Sequence, residues 1–215
     1  MTSPSSLVPG VFYHIYNRGT NRENIFIEER NYRYFLQLWA KHIEPVAETY
    51  AFCLLKNHFH VLARVRDESD DPDEDPKDLD EDPKGLARPL GSGHVVSASN
   101  AFSNFFNAYA KSINKAYGRT GSLFQHPFGR IPVLTQDYLV RLVCYIHFNP
   151  QRHGLISDFR EWPYSSYGAH LSDQATSLKR EAVLGWFDGP RGFVATHEMA
   201  IDEQVLAPLT PDDFD

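Results

Sequence analysis

The sequence predicts a single α+β domain, because short strand-like runs and longer helical segments follow one another along the chain. Three observations support this class: runs of alternating or continuous apolar residues, segments with apolar residues three and four positions apart, and turn residues between them. The chain has 215 residues, of which 42% are hydrophobic, so it is long enough to bury a substantial core. None of its apolar runs approaches the length that spans a bilayer, and we expect no membrane association.

The apolar pattern in the first part of the chain predicts a strand, a helix and a hairpin. Residues 11–16 alternate like a strand and end at the turn residues Asn17-Arg18-Gly19. Residues 28–43 place apolar and aromatic side chains at helical spacing. Two apolar runs, at about 47–55 and 58–65, are separated by only two polar residues, which is typical of a β-hairpin.

The next two elements are a helix and a strand. Residues 99–117 return to helical spacing, and Ser97 or Ser99 is suited to cap the first turn. Residues 123–134 are rich in aromatic and β-branched side chains, as strands are. Because proline cannot donate a hydrogen bond to a neighbouring strand, Pro127 restricts this segment to an edge or a bent strand.

Charge is distributed unevenly along the chain. The net charge is −7 overall, but residues 1–66 carry +3 and residues 85–160 carry +6. The acidic residues are concentrated in residues 67–84, with −9, and in residues 161–215, with −7. A basic face is what phosphate binding needs, whatever the overall charge. The two basic blocks therefore favour a nucleic-acid ligand, while the acidic runs are most simply solvated.

These changes in charge and composition along the chain predict its domain boundaries. We expect residues 1–66 and 99–190 to form one domain, interrupted by an acidic flexible insertion at 67–98 and followed by an acidic C-terminal tail at 191–215. Two cysteines within apolar runs look like reduced core thiols. The first residues lack the pattern of a secretory signal, and we expect a cytoplasmic location.

A pair of histidines is the most informative motif. His58 and His60 lie at the start of the second hairpin strand, and Phe59 lies between them. Strand side chains alternate between faces, so both imidazoles point to one face and Phe59 points to the other. Imidazole pairs are common metal ligands, although such a pair also arises by chance.

A last long helix carries residues that could complete a metal site with this histidine pair. Thr135 is suited to cap it, and Asn149-Pro150 is expected to end it. Tyr145 and Asn149 are four residues apart, so they share a face with each other and with Tyr138. Together with the histidines, they could supply a nucleophile and three ligands for Mg²⁺ or Mn²⁺. The alternative is a core tyrosine and an asparagine that merely ends the helix.

Several motifs occur in one order along the chain, over about residues 11–170 without the insertion. They are Tyr13-His-Ile-Tyr-Asn-Arg-Gly19, Asn57-His-Phe-His-Val61, Gly121-Ser-Leu-Phe-Gln125, Tyr145-Ile-His-Phe-Asn-Pro150, Arg152-His-Gly154 and Trp162-Pro-Tyr-Ser-Ser-Tyr167. In these motifs the chain resembles the single-tyrosine HUH transposases, and specifically the branch of REP-associated tyrosine transposases. The acidic insertion departs from that family's usual pattern.

The resemblance implies a ferredoxin-like antiparallel sheet with helices packed on it, as in HUH endonucleases. It further implies that His58 and His60 bind a divalent metal ion, Mg²⁺ or Mn²⁺, that Asn149 is the third ligand and that Tyr145 is the nucleophile. The implied reaction cleaves and rejoins hairpin-bearing single-stranded DNA through a 5′-phosphotyrosine. Tyr138 is the second candidate nucleophile. The implied assembly is a monomer or a homodimer.

Cationic and aromatic side chains are candidates for DNA contact. The cations are Arg18, Lys111, Lys115, Arg119, Arg130, Arg141 and Arg152, and the aromatic residues are Tyr117, Phe124 and Phe128. Each of them taken singly is better explained as an ordinary surface charge or a core aromatic side chain, and the group supports DNA contact more strongly than its members. No general base is identified, because His147 lies only two residues from Tyr145 and is expected to face elsewhere.

Three other functions stay open at this point. The same chemistry fits a domesticated nuclease outside any mobile element. A protein of this fold that has lost the chemistry would bind single-stranded DNA hairpins without cleaving them. A small-molecule phosphodiesterase that uses the histidines directly would have no use for Tyr145.

Overall fold

A computed structural model describes residues 6–67 and 97–199 of the chain. The strands are β1 Phe12–Arg18, β2 Ala47–Leu54, β3 His58–Val65 and β4 Gly129–Val133. The helices are α1 Glu29–His42, α2 Ala98–Tyr117, α3 Gln136–Arg152, α4 Tyr167–His170, α5 Arg180–Trp186 and α6 Pro190–Met199. In the described ranges no helix is long and apolar enough to cross a membrane.

The strands form one antiparallel sheet in the order β2-β3-β1-β4. The first six long elements therefore follow the order β-α-β-β-α-β, which is the ferredoxin-like arrangement. Helices α1 and α2 pack on one face of the sheet, and α3 packs on the other. The predicted α+β class and the ferredoxin-like antiparallel sheet are confirmed.

Two buried layers result, one on each face of the sheet. Phe59 is fully buried in the layer under α1 and α2, with its ring centroid 5.0 Å from that of Phe35. Leu62, on the opposite face of β3, belongs to the layer under α3. This alternation confirms that Phe59 and the two histidines lie on opposite faces, as a period of two predicts.

The helix ends show why the local sequence forms these elements. The Ser97 side chain accepts a hydrogen bond from the Asn100 backbone N–H at the start of α2, so Ser97 is the cap that was predicted. Gly118 ends that helix with a φ of 62°, a left-handed conformation that glycine adopts without strain. At α1, Glu28 and Asn31 form a reciprocal capping box.

Helix α3 is longer than expected. It continues through Pro150 to Arg152, so the prediction that Asn149-Pro150 ends it is wrong. Pro150 lies in the last turn, and the groups after it remain hydrogen-bonded: the N–H of His153 donates to the Asn149 carbonyl, and that of Leu155 to the Pro150 carbonyl. Because Asn149 and Pro150 are buried, packing outweighs the local preference of a residue before proline.

The C-terminal boundary was also wrong. Residues 191–199, predicted as part of an acidic tail, belong to helix α6. Phe193 is fully buried and its ring lies 5.1 Å from that of Phe187. The remaining tail residues, 200–215, and most of the predicted insertion, 68–96, lie outside the described residues. Strand β4 is shorter than the predicted 123–134 and lies at the sheet edge; Pro127 precedes it, and the proline inside the strand is Pro132.

A chain of buried histidines links α3 to the C-terminal helix. The Nδ1–H of His197 donates to the Phe193 carbonyl at 2.7 Å, so its Nε2 accepts from His147 Nδ1 at 2.9 Å. His147 Nε2 then accepts from the Ser166 hydroxyl at 2.7 Å. Burial, followed by the neighbouring histidines, lowers the pKa of His147 well below its usual value, and burial lowers that of His197 to about 4. Both imidazoles are neutral at pH 7.

These neutral histidines make stability depend on pH. Below about pH 6.5, His197 binds a proton in the unfolded chain, whereas in the folded chain it does so only near pH 4. The free energy of unfolding therefore decreases as pH falls through this window. We expect His197→Gln, whose amide can keep both hydrogen bonds, to reduce the pH slope by about 1.4 kcal/mol per pH unit. Urea denaturation at intervals between pH 7.5 and 5 measures the slope.

The exposed His126 provides the control for this measurement. His126→Gln is expected to keep the wild-type pH slope, because it leaves the buried histidine chain unchanged. An unchanged slope in His197→Gln would show that the buried chain does not carry the acid sensitivity.

Candidate metal and tyrosine site

The two histidines of β3 lie between the sheet and helix α3. His58 is 7% exposed and His60 is 2% exposed, and their ring centroids are 5.3 Å apart. They share a face because they are two residues apart in a regular strand. Strand β1 lies alongside, with Tyr16 directly opposite His60 and His14 two residues further along, opposite Leu62.

Hydrogen bonds orient both imidazoles. The Nδ1–H of His58 donates to the Asn57 side-chain oxygen at 2.7 Å, which leaves Nε2 with a free lone pair. His60 Nδ1 lies 2.9 Å from His14 Nε2. Within the described part of the chain, neither His58 Nε2 nor His60 Nε2 has a hydrogen-bond partner. Two buried nitrogen atoms are thus available as metal ligands.

Helix α3 adds the tyrosine and an amide. The Tyr145 ring centroid lies 5.5 Å from that of His60 and 6.0 Å from that of His14, in edge-to-face contacts. The Asn149 side-chain nitrogen donates to the Tyr145 carbonyl at 3.0 Å, so its Oδ1 is directed away from that bond. This oxygen is buried and has no partner among the described residues. Tyr138, the second candidate, packs half-buried at the edge of the core layer under α3.

The donors fit a hard divalent ion. Among the described residues no three histidine, cysteine, aspartate or glutamate side chains come together as a metal site. The predicted set is instead two imidazole nitrogens and one amide oxygen, all three buried and all three lacking a hydrogen-bond partner in the described ranges. Mixed nitrogen and oxygen donors with room for water suit Mn²⁺ or Mg²⁺.

The site is buried, and this burial sets the charge of its histidines. Burial lowers the pKa of His14 to about 3 and, with the charges of His153 and Arg18, that of His58 to about 3. Burial, followed by the neighbouring histidines, lowers the pKa of His60 well below its usual value. The imidazoles are therefore neutral at pH 7, which is the form that binds a metal.

Two histidines near the site were not predicted from the sequence. His14 is fully buried and touches both His60 and Tyr145. His153 follows α3, with its ring 4.7 Å from that of His58 and its Nε2 lacking a partner in the described segments. The alternation of β1 would have placed His14 on the face of Tyr16, but only the pairing of β1 with β3 brings it to His60.

The predicted DNA-binding cations divide into two groups. Arg18 and Arg130 line a cavity beside the histidines, and the Arg152 guanidinium lies 5.7 Å from the Tyr145 ring. The other cations lie elsewhere. Lys111 lines a second groove along α2, Lys115 is exposed on the same helix, Arg119 pairs with Glu23, and Arg141 pairs with Asp137 at 3.8 Å. Their role in DNA binding stays a prediction.

The aromatic candidates also differ. Phe128 lines the cavity beside the histidines. Phe124 is only 2% exposed and packs against Phe106, which agrees with the alternative of a core aromatic side chain. Tyr117 is half-buried and donates its hydroxyl to the Asn31 side-chain oxygen at 3.1 Å. The apolar residues around Tyr117 have helical spacing, and this pattern does not distinguish a DNA-contacting aromatic side chain from a core residue.

The fold is of the ferredoxin-like α+β type found in HUH endonucleases, with a histidine pair on the sheet and a tyrosine on the helix above it. A solved structure of a REP-associated tyrosine transposase bound to a REP hairpin has the same fold, with a TM-score of 0.52 and 18% sequence identity. The match covers 80% of this chain and 86% of that chain.

A sequence comparison supports the same likeness to REP-associated tyrosine transposases. A protein of Haemophilus influenzae, named "Putative REP-associated tyrosine transposase", is 22% identical over 125 residues, or 56% of this chain. The match spans 58% of that relative, so this chain matches little more than half of its length. No family model matches the chain. The comparisons confirm the resemblance to REP-associated tyrosine transposases that the motifs predicted.

The hydrogen bond between His14 and His60 leads to a prediction about metal affinity. Metal binding through His60 Nε2 requires the proton on Nδ1, where it donates to His14 Nε2. We expect His14→Phe, which keeps a ring but loses this acceptor, to weaken Mn²⁺ binding by about 10- to 100-fold. Isothermal titration calorimetry measures the affinity. Ile15→Val, on the opposite face of β1, is the control and should bind Mn²⁺ like the wild type. Wild-type affinity in a folded His14→Phe would rule out this positioning role.

Proposed function

We propose that this protein is a metal-dependent transposase or endonuclease that cleaves and rejoins hairpin-bearing single-stranded DNA through Tyr145. One observation carries the proposal. Tyr145 packs edge-on against His60, whose Nε2 has no hydrogen-bond partner in the described chain. A candidate nucleophile and a candidate metal ligand are thus in contact within one chain.

His58, His60 and Asn149 are the proposed ligands of a Mg²⁺ or Mn²⁺ ion. Such an ion, when bound, polarises a phosphoryl group and stabilises the charge that develops on its oxygens. The protein contributes the orientation of the ligands. Asn57 fixes the ring of His58, and the hydrogen bond to the Tyr145 carbonyl fixes the Asn149 amide. The ligands are therefore held before a metal or DNA arrives.

The proposed reaction is a phosphoryl transfer to tyrosine. The Tyr145 phenol oxygen attacks the phosphorus of a DNA phosphodiester and loses its proton. A bond forms between phosphorus and the tyrosine oxygen, while the bond to the 3′ oxygen breaks and a 3′-hydroxyl is released. The result is a 5′-phosphotyrosine. Because one ester replaces another, a second 3′-hydroxyl can reverse the step and rejoin strands without an added energy source.

The ligand class is supported by charge and by likeness. The two blocks that build the sheet and α3 carry the positive charge, with +3 in residues 1–66 and +6 in residues 85–160. Three of the predicted DNA-binding cations, Arg18, Arg130 and Arg152, lie at the histidines or the tyrosine. The REP-associated tyrosine transposase of similar fold was solved with a REP hairpin. We infer that this chain also binds a DNA hairpin with a single-stranded flank.

A second candidate function is hairpin binding without cleavage, and the burial of Tyr145 favours it. Tyr145 is 1% exposed, so a phosphate reaches its hydroxyl only after a local rearrangement. A protein that never makes this rearrangement would bind DNA and leave it intact. The two candidates differ in one product, the covalent adduct.

Tyr145→Phe tests the nucleophile. We expect the wild type to form an adduct that survives denaturing electrophoresis when it is incubated with a hairpin oligonucleotide and Mn²⁺. Tyr145→Phe should form none, because it lacks the attacking oxygen, yet bind the DNA within about twofold of the wild type. Tyr138→Phe is the matched control on the same helix and should still form the adduct. An adduct in Tyr145→Phe would move the nucleophile elsewhere, and none in the wild type would favour hairpin binding.

Removal of the metal ligands tests the cofactor. We expect His58→Ala and His60→Ala each to lose measurable Mn²⁺ binding in calorimetry and to lose the adduct, since each removes one of only three proposed ligands. Chelation of the wild type with EDTA should abolish the adduct and added Mn²⁺ should restore it. Adduct formation in EDTA would show that the chemistry does not depend on a metal. Turnover of a soluble phosphodiester by Tyr145→Phe would instead support a phosphodiesterase.

A further inference from the structure

The segment at residues 162–167 takes part in no step of the proposed reaction, and it lies along the outer edge of β2. The Leu54 N–H donates to the Tyr164 carbonyl, and the Ser166 N–H donates to the Phe52 carbonyl, both at 2.9 Å. Backbone groups of an edge strand need such partners when they are covered. The segment therefore extends the sheet beyond β2, and we call it the edge segment.

Two aromatic side chains anchor the edge segment. The Trp162 indole N–H donates to the Leu54 carbonyl at 2.9 Å. The Tyr164 ring stacks on that of Tyr32 from α1, with centroids 3.7 Å apart and nearly parallel planes. Ser166 follows them and is fully buried. The sheet and α1 therefore hold the backbone of Ser166 independently of α3.

The Ser166 hydroxyl belongs to a directed chain of hydrogen bonds. Its oxygen accepts from the Phe52 backbone N–H at 2.9 Å, and its proton is donated to His147 Nε2 at 2.7 Å. His147 Nδ1–H in turn donates to His197 Nε2, and His197 Nδ1–H donates to the Phe193 carbonyl. With neutral imidazoles, one arrangement of protons satisfies all four bonds. The chain therefore runs unbroken from β2 across α3 to α6.

This chain reaches α3 at the turn that carries the proposed nucleophile. His147 lies between Tyr145 and Asn149, two residues from each. The other end of the chain, at Phe52, lies on β2, where the next residue pairs with His60. Hydrophobic contacts between a helix and a sheet are non-directional, whereas hydrogen bonds require a narrow range of distances and angles. The chain thus fixes α3 relative to the strands that carry the histidines.

A contact that only filled the core would not need polar groups here. His147 and Ser166 are both fully buried. Replacing two such partners by apolar side chains of the same shape is often neutral or stabilising, because the cost of taking them out of water disappears. What the polar pair adds to the packing is a defined direction and distance between the edge segment and α3.

We propose that Ser166 is a positioning residue that sets Tyr145 and Asn149 over the histidine pair through its hydrogen bond to His147. The proposal rests on the proposed function, because it concerns the geometry of that site. Position matters there, since a reacting group displaced by about 1 Å can react about 100-fold more slowly. The edge segment is thus part of the machinery of the site, although it supplies neither the nucleophile nor a proposed ligand.

Ser166→Ala tests this role, because it removes the hydroxyl and leaves His147 in place. At saturating hairpin oligonucleotide and Mn²⁺, we expect it to form the adduct roughly 10- to 100-fold more slowly than the wild type. Its Kd for the oligonucleotide in EDTA should stay within about twofold, because the loss concerns the reacting geometry and not ground-state binding. Ser165→Ala is the matched control. The Ser165 hydroxyl accepts from the Tyr167 backbone N–H and is no member of the chain, so this variant should keep the wild-type rate.

A double-mutant cycle on metal affinity separates positioning from a general loss of structure. In calorimetry, Ser166→Ala should weaken Mn²⁺ binding by about tenfold, and it should have no further effect in Asn149→Ala, where the displaced ligand is already gone. Thermal unfolding establishes that each variant is folded. Ser166→Cys keeps a side chain of similar size but donates more weakly, so it replaces Ser166→Ala if that variant does not fold, with the same pattern and a smaller loss.

The possible outcomes are distinct. Wild-type adduct formation in a folded Ser166→Ala would overturn the positioning role and leave the proposed function intact. An equal loss of Mn²⁺ affinity with and without the Asn149 side chain would also overturn it, since Ser166 would then act on the fold as a whole. If the wild type forms no adduct, strand cleavage is wrong, and the coupling between Ser166 and Asn149 in Mn²⁺ affinity decides the positioning role by itself.

Discussion

The alternation of side chains along β3 is the constraint on which the rest of the structure depends. Phe59 is fully buried among the aromatic rings of α1 and α2, and this contact holds β3 in register. Because side chains alternate, the same contact directs His58 and His60 to the opposite face. A slip of one residue would bury the imidazoles among phenyl rings and turn Phe59 toward α3. The apolar core therefore determines where the polar site lies.

The site itself is assembled from two layers. The sheet supplies histidines from two neighbouring strands, joined by the hydrogen bond between His14 and His60, and α3 supplies Tyr145 and Asn149 from above. The burial of these side chains follows from their position between the layers, and it has an electrostatic consequence. Burial lowers the pKa of each imidazole, so none of them carries a proton that a metal would have to displace at neutral pH.

Sequence patterns correctly predicted features that depend on neighbouring residues. They failed for features that depend on tertiary packing or on strand pairing. The orientation of His58, the capping by Ser97 and the edge position of β4 each follow from a few neighbouring residues. The contact of His14 with His60 depends on strands that are 46 residues apart in sequence, and no single-segment pattern contains it. Helix α6 was missed because the acidic residues around it dominated the composition, while the burial of Phe193 depends on a distant helix.

Burial has opposite effects on the two halves of the site. It keeps the histidines neutral, and in the described part of the chain the Nε2 atoms of His58 and His60 have no hydrogen-bond partner, which leaves them available to a metal. It also covers Tyr145, which a DNA strand must reach. The ligands of the proposed metal are held by the sheet and by hydrogen bonds to neighbouring groups, whereas the tyrosine is covered by side chains that include Arg152 on the last turn of α3. A cation over the ring is a group that a DNA phosphate attracts. Arg152 is thus both a side chain that covers the proposed nucleophile and a cation that the phosphate of the proposed DNA ligand would contact.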